Sequence, residues 1–178
     1  MKVLKEILKD CLVIMPEIHI DNRGIFLETF QAEKYRSIAG INYTFVQDNC
    51  SHSSFNVLRG LHFQKNRPQG KLVRVTKGKV FDVVVDIRRD SPMFGKWSSV
   101  ILSDKNMHQL WIPPGFAHGF ITLSSIAILE YKCTEYYDPK DEGSLLWNDV
   151  NIGIKWPNNE PIMSTKDANA NSFLELPF

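Results

Sequence analysis

The sequence predicts an all-β protein, an antiparallel sandwich or barrel with a few short helices. Short runs with strand-like alternation follow one another through the middle of the chain, separated by turn formers. Helix signals are few, and no β-α-β alternation is visible. A parallel nucleotide-binding sheet is therefore not expected.

Taken in chain order, Asp21-Asn22-Arg23-Gly24 reads as a turn entering a strand that carries Phe26 and Glu28. Ala32 to Ala39 reads as a short helix closed by Gly40, where a left-handed cap needs no Cβ. Lys71 to Thr76 alternates, and Lys77-Gly78 supplies a turn before Val80 to Ile87. In that second run Phe81, Val83, Val85 and Ile87 share one face, and Asp82 and Asp86 fall on the other. Further strands are expected at Trp97–Leu102, Gln109–Ile112, Gly119–Leu123 and Ile126–Thr134, with a last helical turn near Asp167. No linker or repeat divides the 178 residues, so one domain is expected, its sandwich core spanning about 45–135.

Composition narrows the function. With 43% hydrophobic residues, 23% charged residues and a net charge of +1, the chain lacks the basic field that nucleic-acid or membrane-surface binding favours. Cys11, Cys50 and Cys133 are odd in number, far apart and without a CxxC pair. A reducing, cytoplasmic setting follows. Met1 to Asp10 mixes charges among its apolar residues, unlike a signal peptide, and no long uncharged stretch follows. No membrane association is expected.

Four constellations carry chemical groups. In Leu58-Arg59-Gly60-Leu61-His62-Phe63-Gln64, strict alternation separates Arg59 from His62, and a bulge at Gly60 would reunite them. An isolated histidine is usually structural, but Gln47-Asp48-Asn49 before it and Lys71 after it give the density of a lined cavity. Pro113-Pro114-Gly115-Phe116-Ala117-His118 reads as a tight turn aiming an imidazole. It resembles the second motif of cupins, P-x-G-x-x-H. Metal-binding cupins pair that motif with H-x-H and a glutamate; here the first stretch reads His62-Phe63-Gln64, and Lys65 to Gly70 holds no glutamate. That ligand set is poor, so no metal is expected. Tyr131 shares a face with Ala127, Leu129 and Cys133, pointing inward, where a core tyrosine is the plain reading. Ser164-Thr165-Lys166-Asp167 would by itself be a helix cap.

Together these segments closely resemble the dTDP-4-dehydrorhamnose 3,5-epimerase family. The resemblance runs from about Asp21 to Asp167, through D-x-R-G-x-F-x-E, Q-x-N, L-R-G-L-H-F-Q, K-L-V-R-V, V-D-I-R-x-D-S-P-x-F-G, P-P-G-F-A-H-G-F, Y-K-C-T-x-Y-Y and W-P with S-x-K-D. It implies a cupin-type double-stranded β-helix (jelly roll). It also implies His62 as general base, Asp167 as its partner, Tyr131 as general acid and Lys71 as enolate stabiliser. Arg23 and Arg59 would hold a diphosphate. Phe26, Glu28, Gln47, Asp48, Asn49, His118, Glu142 and Lys166 would line the substrate site, and Tyr136 or Tyr137 would stack on thymine. Of the two tyrosines, Tyr136 is assigned to the site. The implied ligand is a dTDP-linked 4-keto-6-deoxy sugar, with no cofactor. The implied assembly is a homodimer exchanging N-terminal strands, so Arg23 and Glu28 would serve the neighbouring site.

The chemistry suits these groups. Inverting a carbon beside a ketone removes a proton from one face and returns one to the other, so a base and an acid must flank the ring. Three other readings stay open: a mono-epimerase relative, a metal-dependent cupin, and a non-catalytic sugar nucleotide binding module. Deuterium incorporation at one carbon only, stoichiometric metal, or binding without solvent exchange would favour each in turn.

Overall fold

A computed structural model describes residues 1–176. Its elements in chain order are β1 (Lys2–Leu8), β2 (Cys11–Met15), β3 (Ile18–Asp21), β4 (Gly24–Leu27), α1 (Ala32–Ala39), β5 (Gln47–Ser54), β6 (Leu58–Gln64) and β7 (Lys71–Lys77). They continue with β8 (Lys79–Asp86), β9 (Trp97–Ser103), β10 (Gln109–Ile112), β11 (Phe116–Thr122), β12 (Ile126–Cys133), β13 (Glu142–Ser144) and α2 (Thr165–Ala168). One sheet has the order β1-β2-β10-β7-β12-β5, and a second has the order β13-β6-β11-β8-β9. They face each other as an antiparallel jelly roll of the cupin type. β3 and β4 form a separate hairpin.

Alternation decides which side chains fill the space between the sheets. Val73, Val75, Val80, Val84, Phe116, Phe120, Ala127 and Leu129 meet there as one buried cluster. The outer face of the five-stranded sheet is also covered, because Leu61, Val83, Val85 and Ala117 pack under Leu145, Ile152, Ile154 and Leu176 of the C-terminal segment. Outside the other sheet, Leu72 and Trp111 pack against Tyr35 and Ile41. Tyr35 belongs to α1, whose Gln31 side chain caps the Lys34 N–H and whose Gly40 closes the helix at φ 69°.

Asp82 and Asp86 share the face of β8 opposite Val83 and Val85, as the alternation predicts, and both are fully buried, because β8 is covered on both sides. One expectation needs amending: the turn before His118 ends earlier. The strand resumes at Phe116, so His118 lies inside β11.

Candidate active site

A cleft of about 630 Å³ opens between the two sheets. Because facing sheets lie about 10 Å apart, a side chain from each wall leaves room for a sugar ring. His62 comes from β6 in one sheet and Tyr131 from β12 in the other, and both line this cleft.

The β6 strand reaches that geometry through an irregularity. His62 pairs with His118, yet Arg59 pairs with Phe120, so Gly60 and Leu61 of β6 stand opposite Gly119 alone. The extra residue lies around Gly60, which has φ +119°. A Cβ there would sit 2.6 Å from Gly119 Cα and 2.7 Å from the His118 carbonyl oxygen. Only glycine fits. The bulge returns Arg59 and His62 to one cleft.

His62 Nε2 lies 2.8 Å from Asp167 Oδ1. Burial pushes the Asp167 carboxyl up, but the His62 hydrogen bond and charge, the Gly60 N–H and Ser164 outweigh it and hold the group below its usual range. An ionised carboxylate only accepts, so Nε2 carries the proton and the neutral ring's lone pair sits on Nδ1. Asp167 itself is fixed by α2, where Ser164 Oγ accepts from the Asp167 backbone N–H at 3.1 Å. The plain capping role and the placement of the carboxylate are one arrangement.

On the facing wall, burial pushes the Tyr131 phenol up to about 12. The phenol therefore keeps its proton at working pH. Lys71 is buried in the floor, where desolvation pulls its ammonium below the ordinary value against the opposing pull of Cys133, Asp82 and Glu142. Asn49, Arg59, His118, Glu142 and Lys166 also line the cleft. Glu142 accepts hydrogen bonds from Tyr137 Oη at 3.0 Å and from Lys166 Nζ. Burial raises Glu142, but those two bonds together with the charges of His62 and Lys166 bring it below its usual range.

Other sequence-predicted residues stand elsewhere. Arg23, Phe26 and Glu28 are on or beside the β3–β4 hairpin and do not enter this cleft; Arg23 pairs with Asp21 at 2.7 Å and Glu28 with Lys34 at 2.9 Å. Asp48 points to the outer face, paired with Lys132 at 3.0 Å. Gln47 acts one layer back, donating to Asn49 at 3.0 Å and accepting the Tyr137 backbone N–H at 2.9 Å. Tyr136 is 59% exposed and lies outside the cleft lining; its neighbour Tyr137 takes the lining position. The two follow the end of β12, where strand alternation no longer decides direction. Asp82 was not among the expected site residues, yet both its oxygens lie within 3.0 Å of His118 Nε2.

Gln64 is buried, and its amide is fully used by the backbone. It donates to the Arg67 and Tyr136 carbonyls at 2.8 and 3.2 Å and accepts from the Asp138 N–H at 2.8 Å. Among the described residues, no group of three or more His, Cys, Asp or Glu side chains is arranged to hold a metal ion.

Fold and site define a cupin-type isomerase working by acid–base chemistry. The family model for dTDP-4-dehydrorhamnose 3,5-epimerase matches residues 5–175. The enzyme of that name from Salmonella typhimurium is 54% identical over 172 residues, covering 96% of this chain and 94% of the relative. A Legionella pneumophila dTDP-6-deoxy-D-glucose-3,5-epimerase, solved with dTDP-4-keto-L-rhamnose, superposes with a TM-score of 0.96 at 47% identity, covering 99% of this chain and 94% of that one. A 3'-monoepimerase from Streptomyces bikiniensis, solved with dTDP-quinovose, follows at 0.86 and 33%, covering 97% and 87%. This chain belongs to the dTDP-4-dehydrorhamnose 3,5-epimerase family.

Proposed function

We propose that the chain converts dTDP-4-dehydro-6-deoxy-D-glucose to dTDP-4-dehydro-L-rhamnose, inverting C5 and C3 beside the C4 ketone. One observation carries the reading: in a member of this family, a histidine–carboxylate dyad and a protonated phenol line one cleft from facing sheets. Identity to the double epimerases, 54% and 47%, exceeds the 33% to the mono-epimerase.

In this mechanism His62 Nδ1 takes the proton from the ring carbon. The C–H bond breaks, its electron pair moves into the ring, and the C4 carbonyl oxygen becomes an enolate oxygen. Lys71 stabilises that developing charge. Tyr131 gives its proton to the opposite face, leaving a phenolate and an imidazolium that reset by exchange with water. Acid–base assistance of this kind contributes about 10²–10⁴-fold. Arg59 and, from the neighbouring subunit, Arg23 meet the diphosphate, Lys166 lines the site, and Tyr137, which lines the cleft, is the partner for the thymine ring. In heavy water, product should carry deuterium at both C3 and C5. Label at C3 alone would make this chain a mono-epimerase, and retention of exchange in His62→Ala would remove the base assignment.

The assembly proposed is a homodimer in which the β3–β4 hairpin of one subunit closes the cleft of the other. The exposed Ile20, Ile25 and Phe26 on that hairpin support it, as do the places of Arg23 and Glu28 outside their own cleft. Mixing Arg23→Ala and His62→Ala subunits tests it. A shared site regains activity in the mixed dimer, because one cleft then holds both native groups. If Arg23 serves its own subunit, no activity returns. A cytosolic location suits the free thiols of Cys11, Cys50 and Cys133.

A further inference from the structure

His62 and His118 are register partners on β6 and β11, so their imidazoles share the inner face of one sheet. Each has its own carboxylate, Asp167 for the first and Asp82 for the second. Asp82, on β8, has no solvent exposure, and its two oxygens lie 2.9 and 3.0 Å from His118 Nε2. Sealing a carboxylate inside a protein is costly unless cations compensate it. His118 is the direct partner. Lys71, which lines the cleft beside His118 but rises from β7 of the facing sheet, is a buried cation that acts on Asp82 at longer range, by charge alone.

The groups facing Lys71 come from four strands: Cys133 and Tyr131 on β12, Asp82 on β8, Glu142 on β13 and His118 on β11. Burial raises the Cys133 thiol, so it is protonated at working pH and its pull on Lys71 is felt only at alkaline pH, where the thiol ionises. Glu142 is already bonded to Lys166 and Tyr137. Asp82 remains as the carboxylate behind the floor: burial raises it, and the His118 charge and hydrogen bond together with the Lys71 charge oppose that rise.

We propose that Asp82 is a positioning residue of the epimerisation, holding His118 in place and balancing the Lys71 ammonium where enolate charge develops. The inference rests on Lys71 facing the enolate oxygen. Asp82→Asn keeps the shape and removes the charge. Expected are a near-normal KM, a kcat reduced tenfold or more above about pH 8, and an alkaline limb moved down by about one pH unit or more. Arginine stays charged whatever its neighbours. In a Lys71→Arg background, Asp82→Asn should therefore leave the alkaline limb where Lys71→Arg alone puts it.

A folded Asp82→Asn enzyme with unchanged kcat and limb would overturn the proposal. So would an equal loss at every pH, which marks a purely structural role. Should Asp82→Asn not fold, the wild-type enzyme labelled with ¹⁵N-lysine decides, with the Lys71 signal assigned through Lys71→Arg. An ammonium that persists to about pH 9 supports the proposal, and one that deprotonates near neutrality refutes it. Full activity in Lys71→Gln would instead break the reading of Lys71 itself. Loss in Lys71→Gln beside an unaffected Asp82→Asn would sink the Asp82 assignment alone.

Discussion

Replacing Asp167 with asparagine tests the dyad most sharply, because the surrounding bonds dictate which way the new amide turns. Asp167 Oδ2 accepts the Gly60 backbone N–H at 3.2 Å, and Oδ1 faces His62 Nε2 at 2.8 Å. The Gly60 N–H needs an acceptor, so the asparagine carbonyl takes that place and its NH₂ points at His62. Nε2 must then accept, and the ring proton moves to Nδ1, the nitrogen the reaction needs free. Loss of a charged hydrogen bond alone, about 1.5–3 kcal/mol, corresponds to about 10- to 150-fold in rate. Trapping the wrong tautomer costs about 10⁴-fold in the comparable aspartate-to-asparagine change of serine proteases. We expect kcat to fall by about 10²–10⁴-fold with KM nearly unchanged. Proton NMR in heavy water reads the exchange at C5 and C3 directly, and circular dichroism checks the fold. A folded variant that exchanges both positions at the wild-type rate would refute the tautomer argument.

Tyr131→Phe should still allow proton removal, with deuterium wash-in from His62, but return the proton on the wrong face and yield little product; an unaltered rate of epimerised product would exclude Tyr131 as the acid. The same substitution has a stability signature. Burial lifts the phenol from 10.0 to about 12, so folding favours its neutral form, and that stabilisation is complete below pH 10.0 and lost as pH rises toward about 12. Urea unfolding at about pH 9 and about pH 11 should show a smaller decline in Tyr131→Phe than in wild type, and equal declines would contradict the burial argument. Gly60→Ala should be destabilised by at least about 2 kcal/mol, from strained backbone and close contact, lowering Tm by about 4–8 °C. An unchanged Tm would mean that the β6–β11 approach can widen.

Much of this was legible in the chain, and the reasons differ by element. The strands from Lys71 to Cys133 declared themselves because each alternates between the space inside the sandwich and an outer face. That same periodicity placed Tyr131 inward beside Leu129 and Cys133. It could not place Arg59 and His62 together, since period two separates them; the bulge at Gly60 was needed, and only contact with Gly119 fixes it. Asp82 was hidden by the opposite effect. A carboxylate alternating with valines names no partner, and only the covering of β8 on both sides makes it a buried partner of His118. β1, β2, β3, β5 and β13 were not legible, being short, polar or charged pieces whose pairing comes from strand neighbours rather than their own pattern. Family resemblance alone supplied Arg23, Phe26 and Glu28, which do not line the cleft of their own chain.

Gln64 ties two loops of the site together in a way that a histidine at that position could not. Its amide fastens the segment after β6 to the segment after β12, through Arg67 on one side and Tyr136 and Asp138 on the other. An imidazole at that position has too few polar atoms to keep all three ties. Gln64→His would therefore unfasten the loop that aims Tyr137 before it gained a ligand. Three backbone ties thus hang on one amide, and placing a ligand there would take several coordinated changes rather than one.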